Sequence, residues 1–202
     1  MKIIIILLIM ILPKMGLAYE DALTERALFI NNLHVRHHSR LNYPEDSIGY
    51  QEAQNRVKSI LRYSKELNNM YPDADPKDVA LNLFFIIEWE TAFINYGVEH
   101  EDLDNGNSFG MISMKKSTAE EIIDNLSLED RYMYDTDLQA KLATYYYYRA
   151  LSHFGGEHRM AILSYNRGFN IRDDLQRYEN YYFQVIGRRQ YFEENYLKKD
   201  DQ

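Results

Sequence analysis

The segment Asp75–Tyr96, DPKDVALNLFFIIEWETAFINY, decides how the rest of the chain is read. Asp75 can cap a helix, Pro76 suits its first position, and Asp78 returns a carboxylate to the first turn. From Val79 to Trp89 only Asn82 and Glu88 are polar, so the spacing predicts a helix that is apolar nearly all round and buried. Glu90 follows Ile86 and Ile87 by one turn and Leu83 by two, which puts it on a greasy face. An ionised, unpaired carboxylate is costly there, so Glu90 is expected to hold its proton tightly and to be able to act as a general acid. A plainer reading makes Glu90 only the wet end of a core helix. Glu88, roughly 200° around the helix from Glu90, cannot share its cleft and is expected to face solvent or to serve structure.

Outward from that helix, the N-terminus reads as a processing signal. Lys2 is followed by an unbroken apolar run from Ile3 to Leu12, and Gly16-Leu17-Ala18 offers small residues for cleavage. The run falls short of the roughly 20 residues a spanning helix needs. Residues 1–18 are therefore expected to be a signal peptide cleaved after Ala18, with an exported, periplasmic or envelope-associated product. Loss of Lys2 and Lys14 would move the formal net charge from -8 to -10. So acidic a surface argues against nucleic acid or anionic lipid as partner. The chain has no cysteine, which excludes disulfides and thiolate metal sites.

Further helices are expected over 20–33, 51–69, 117–126, 138–154, from 157 to the Tyr165-Asn166-Arg167-Gly168 stop, and over 180–196. Ser117-Thr118-Ala119-Glu120 reads as a capping box, and Asp135 as the cap of the helix after it. His37-His38 reads as a pair of solvated loop histidines, since neighbours on a helix point apart. The acidic loop VEHEDLDNGNSFG, 98–110, resembles a calcium loop, but the glycine register puts Leu103 where a ligand belongs. No metal or cofactor is expected. The Tyr145–Tyr148 run reads as packing, with the alternative that some tyrosines line a sugar groove. Almost no strand alternation is present, so the fold class is mainly α, with at most a small irregular or β region.

Four segments, in order, resemble the soluble-lytic-transglycosylase catalytic domain, the goose-lysozyme-like branch of the lysozyme superfamily. Glu90-Thr91-Ala92-Phe93 is similar to Glu-Ser-x-Phe, and 110–119, GMISMKKSTA, to Gly-Leu-Met-Gln-hydrophobic-Met-Pro-x-Thr-Ala. His153-Phe154-Gly155-Gly156 and 161–168, AILSYNRG, are similar to Arg-Phe-Gly-Gly and Ala-Leu-x-Ala-Tyr-Asn-Ala-Gly. Tyr181, four before Val185, matches the tyrosine of Tyr-Val-x-x-Val. The resemblance covers about 76–192 and implies a lysozyme-like domain at 76–202, with 19–75 a helical extension packed on it.

It also implies a peptidoglycan-cleaving enzyme in which Glu90 is acid and then base, yielding a 1,6-anhydro-muramic end without water. Among the substrate-binding positions, Tyr165 and Asn166 would be the groove's polar contacts, and Ser113 would stand where the pattern's glutamine holds the sugar. Ser108 and Met111 would supply backbone and shape, and Tyr181 would orient the acid. Ser113 stands for the glutamine of the pattern, Lys116 for its proline, Thr91 for serine and Asn107 for glycine; these departures bear on substrate affinity and subsite geometry. Glycan strands are the expected partner of a monomer, with an envelope-assembly protein as a further one. Competing readings are a non-catalytic glycan- or partner-binding relative, a lysozyme-type hydrolase, and a helical adaptor with accidental motif matches.

Overall fold

The structure is a computed structural model that describes residues 19–38, 47–95, 108–126, 130–171 and 175–197. The expected signal segment, Asn107 and most of the acidic loop lie outside them. Seven α-helices and one two-stranded ribbon are present among the described residues, a mainly α, lysozyme-like arrangement. They are α1 Tyr19–His38, α2 Tyr50–Glu66, α3 Pro76–Thr91, β1 Ser108–Phe109, β2 Met114–Lys115, α4 Lys116–Leu126, α5 Thr136–His153, α6 His158–Arg167 and α7 Leu175–Phe192. None of these helices is long and apolar enough to cross a membrane.

Helix α3 is the axis. Asp75 caps it by accepting from the Lys77 N–H at 2.8 Å, and every residue from Val79 to Glu88 is buried. It packs against α2, α5 and α7, where Phe84 meets Phe85 and Phe93, and Phe85 meets Phe192, at ring-centroid distances of 4.8–5.7 Å. The all-round burial expected of it fails at Trp89, 39% exposed, on which the Arg188 guanidinium lies 4.4 Å from the ring centroid. Glu88 does not face solvent. It accepts from Arg26 of α1 at 2.6 and 2.8 Å and lies 3.4 Å from Arg188 of α7, so one buried carboxylate joins three helices.

Several helix ends move. His37-His38 completes α1 and is not in a loop. Helix α4 opens at Lys116, so Ser117 sits inside its first turn and is no cap; β2 runs straight into it, with Lys115 still paired to Ser108. Helix α7 begins at Leu175, five residues before the expected Asn180, and runs on into a π-helical turn, Glu193–Leu197. Asp135 does cap α5, accepting from the Asp137 and Leu138 N–H groups.

Core tyrosines carry their own polar partners, as buried hydroxyls must. Tyr148 donates to the Ser64 carbonyl and Tyr146 to the Ser164 carbonyl. Tyr147 accepts from Asn82 at 2.9 Å and contacts His158 Nδ1 at 3.0 Å, while Asn82 Oδ1 accepts from Arg189 at 2.8 Å. This network welds α7 to α3 and α6. Burial holds His158 below its usual pKa, aided by the Arg189 charge and opposed by Asp78. A histidine with a lowered folded pKa is neutral in the native state but binds a proton more readily when unfolded. Stability should therefore fall as pH drops below about 6.5, where the unfolded histidine charges. Melting followed by circular dichroism is expected to show a loss of a few degrees between about pH 7 and 5, reduced in His158→Gln. Asp137 acts in a separate window. Burial works to raise its pKa, but hydrogen bonds from Ser59 and Tyr63 and the Arg62 charge hold it below the ordinary value, so its stability contribution is lost only below about pH 4.

Candidate active site

Glu90 lies in the last turn of α3, and the chain leaves that helix abruptly. Ala92 and Phe93 have φ of 50° and 64°, in the left-handed region that residues with a Cβ adopt at a cost. Side chains from distant segments hold the bend. The Thr91 hydroxyl reaches the Met111 carbonyl at 2.6 Å, Asn31 of α1 donates to the Ala92 carbonyl at 3.2 Å, and Arg56 of α2 donates to the Phe93 carbonyl. The backbone beside Glu90 is thus fixed from α1, α2 and the ribbon together.

The ribbon pairs Ser108 with Lys115 and Phe109 with Met114 in antiparallel register. Its turn is pinned by Gln139 of α5, which accepts from the Met111 N–H at 2.9 Å and donates to Asn95 and to the Met133 carbonyl. Gly110 is required here: its φ is +72°, and a Cβ would stand 2.4 Å from Gln139 Oε1. Ser113 is also left-handed, with φ 48°.

Between this ribbon and the end of α6 lies a groove of about 630 Å³, within the range of small-molecule sites. Ser108, Ser113, Met114, Lys115 and Thr118 line it from the ribbon and α4, and Asn166, Arg167 and Gly168 from the end of α6. Glu90, Tyr146 and Tyr165 complete the lining, so two of the many tyrosines do reach the groove while Tyr147 and Tyr148 are core. Tyr165 ties the two sides together, its hydroxyl donating to the Ile112 carbonyl at 2.9 Å. Among the described residues, Glu90 is the single carboxylate in the lining.

Glu90 is half-buried. Desolvation raises its pKa above the ordinary glutamate value, while Tyr181, Asn166 and the Arg167 charge pull the other way without winning. The Asn166 amide is at the outer limit of bonding distance, 3.5 Å from Glu90 Oε1. The Tyr181 hydroxyl is buried and close enough to act on Glu90, yet completes no hydrogen bond of full geometry. Together these groups let the carboxyl keep its proton to a higher pH than a free glutamate would, and receive it back.

Of the residues singled out from sequence, Glu90, Ser108, Ser113, Tyr165 and Asn166 converge on the groove. Tyr181 stands behind Glu90, in the core. Met111 does not line the groove: its side chain is fully buried, and its backbone is taken up by Thr91 and Gln139. It is a core residue that shapes the ribbon, buried together with its neighbour Ile112. Sequence reading passed over Lys115, Tyr146 and Arg167 in the lining, and Asn31, Arg56 and Gln139 behind it. A buried glutamine in the otherwise apolar stripe of α5 was the one available signal for the last group.

A family model, Transglycosylase SLT domain, matches residues 73–184, more than half of the chain. Searches of curated proteins and of solved structures find no match. The matched span runs from just before the Asp75 cap into α7 and takes in Glu90, the ribbon, the groove and Tyr181. The chain belongs to the transglycosylase SLT domain family.

Proposed function

We propose that the protein cleaves the β-1,4 bond between N-acetylmuramic acid and N-acetylglucosamine in peptidoglycan, leaving a 1,6-anhydro-muramic end, with Glu90 as acid and then base. Membership of the family supports lytic transglycosylase action on peptidoglycan in general. The observation that carries the finer reading is Glu90 itself: a half-buried carboxyl with a raised pKa, the single carboxylate among the described residues lining a groove.

Protonated Glu90 gives its proton to the bridging oxygen as the bond to C1 breaks. The substrate's N-acetyl oxygen stabilises the positive C1. The Glu90 carboxylate then takes the proton from the muramic O6, and O6 closes on C1. Glu90 ends protonated, and no water is consumed. A raised pKa serves both steps, keeping the acid charged with its proton and making the carboxylate a stronger base. Most glycosidases divide these duties between two carboxylates. Asn166 and Tyr181 steady the anionic form, while Ser108, Ser113 and Tyr165 supply polar contacts to the sugar. Met111 acts through backbone and shape alone.

The reading places the protein in the cell envelope, exported by residues 1–18, with glycan strands as its partner. Residues 19–75 act as a brace on 76–202, through contacts such as Arg26–Glu88. Mass spectrometry of digested sacculi tests the chemistry. Muramic ends lighter by one water than hydrolytic ends are expected; fully hydrated ends would make the protein a lysozyme-type hydrolase.

A further inference from the structure

Arg167 is an exception among the described arginines. Of the arginines whose side chains are described, every other one lies within ion-pair distance of a carboxylate. Arg167 is exposed in the groove lining, near Glu90 without pairing to it, and its guanidinium is steadied 4.7 Å from the Tyr178 ring centroid. Lys115 lines the same groove from β2, exposed and without an ion pair among the described residues. In a chain of formal net charge -8, two cations left without a carboxylate and gathered in one groove give that groove a charge opposite to the whole. An arginine already oriented on an aromatic face loses little freedom on meeting a carboxylate in bidentate fashion.

Resting on the reading above, we infer that Arg167, assisted by Lys115, binds a carboxylate on the substituent of the muramic sugar and so selects strands that carry it. Two carboxylates could serve, that of the lactyl group itself and those of an attached stem peptide. A chain with this device discriminates by binding, so its mark is on KM and not on the chemical step.

The test uses the full chain carrying Glu90→Gln, so that probes bind without turnover. Three probes are titrated by calorimetry: a chitooligosaccharide without carboxylates, peptide-free muroglycan strands with the lactyl carboxylate alone, and peptide-bearing strands. Adding Arg167→Gln is expected to weaken carboxylate-bearing probes about five- to tenfold and to leave the chitooligosaccharide unchanged. Weakening of both muroglycan probes assigns the lactyl group; weakening of the peptide-bearing probe alone assigns the stem peptide. Equal weakening of all three, or of none, overturns the inference. In otherwise native protein, Arg167→Gln should raise KM by the same factor. A shifted pH profile of kcat at unchanged KM would instead make Arg167 a tuner of Glu90, and would also overturn it. Hydrated products from the native protein would defeat the proposed chemistry while leaving the binding result standing, so the two failures are distinguishable.

Discussion

Glu90→Gln is expected to abolish glycan cleavage, lowering turnover of purified sacculi by about 10³-fold or more, while the protein stays folded. The lower bound follows from general acid–base contributions, typically about 10²–10⁴-fold each, lost here at both steps. Glutamine keeps the shape and the contact to Asn166 but can neither give nor take the proton. The same substitution should leave the melting temperature unchanged or raise it. Burial gives Glu90 a folded pKa above its unfolded one, so the folded state binds the proton more readily. Ionisation then opposes folding, and stability contributed by this group falls as pH rises from the unfolded pKa through the folded one. At neutral pH the neutral amide removes that penalty. Lost activity with retained or increased stability is the signature of a group kept for chemistry at the expense of the fold. Native activity should also decline as pH rises through the elevated pKa. Undiminished turnover by Glu90→Gln would remove Glu90 from the mechanism.

Glu88→Ala is expected to have the opposite profile. Its side chain is 1% exposed and held by Arg26, itself only 13% exposed, with Arg188 beside it. Removing the carboxylate strands a mostly buried guanidinium. Breaking a buried pair from one side typically costs about 3–5 kcal/mol. Water can reach Arg188, 31% exposed, and partly compensate, so about 3 kcal/mol is the expected loss. That corresponds to a fall of roughly 6–12 °C in melting temperature for a domain of this size. Turnover below the transition should remain, because Glu88 points away from the groove that Glu90 enters. The double variant Arg26→Met, Glu88→Met should recover much of the loss, since the penalty belongs to the unpaired charge and not to the missing attraction. A melting temperature within a degree of native for Glu88→Ala would show that the ion pair does not hold α1 and α7 to α3.

The two glutamates also show where sequence reading succeeds and where it stops. Periodicity separated them correctly, because side-chain direction on a helix follows from spacing alone. It assigned Glu90 a greasy surround for the same reason. It could not decide whether Glu88 met solvent or structure, since its partners lie 62 and 100 residues away in the chain, in α1 and α7. The tyrosines of 145–148 divide likewise: one helix segment supplies two core residues and one groove residue, according to what packs on each face. Which way the Met111 side chain points was not legible, because it sits in a turn, where side-chain direction depends on φ values that no period encodes.

The sequence alone determined the helical class, the buried axis at 76–91 and the half-buried glutamate at its end, since burial pattern, capping chemistry and helix period are local properties. Tertiary structure alone decided what surrounds that acid. The left-handed bend after Thr91 depends on Asn31 and Arg56, the ribbon turn on Gln139, and the cationic groove on Arg167 meeting Lys115 across more than fifty residues of chain. Charges and hydrogen bonds act through space, and distance along the chain carries no record of which groups folding will bring within reach.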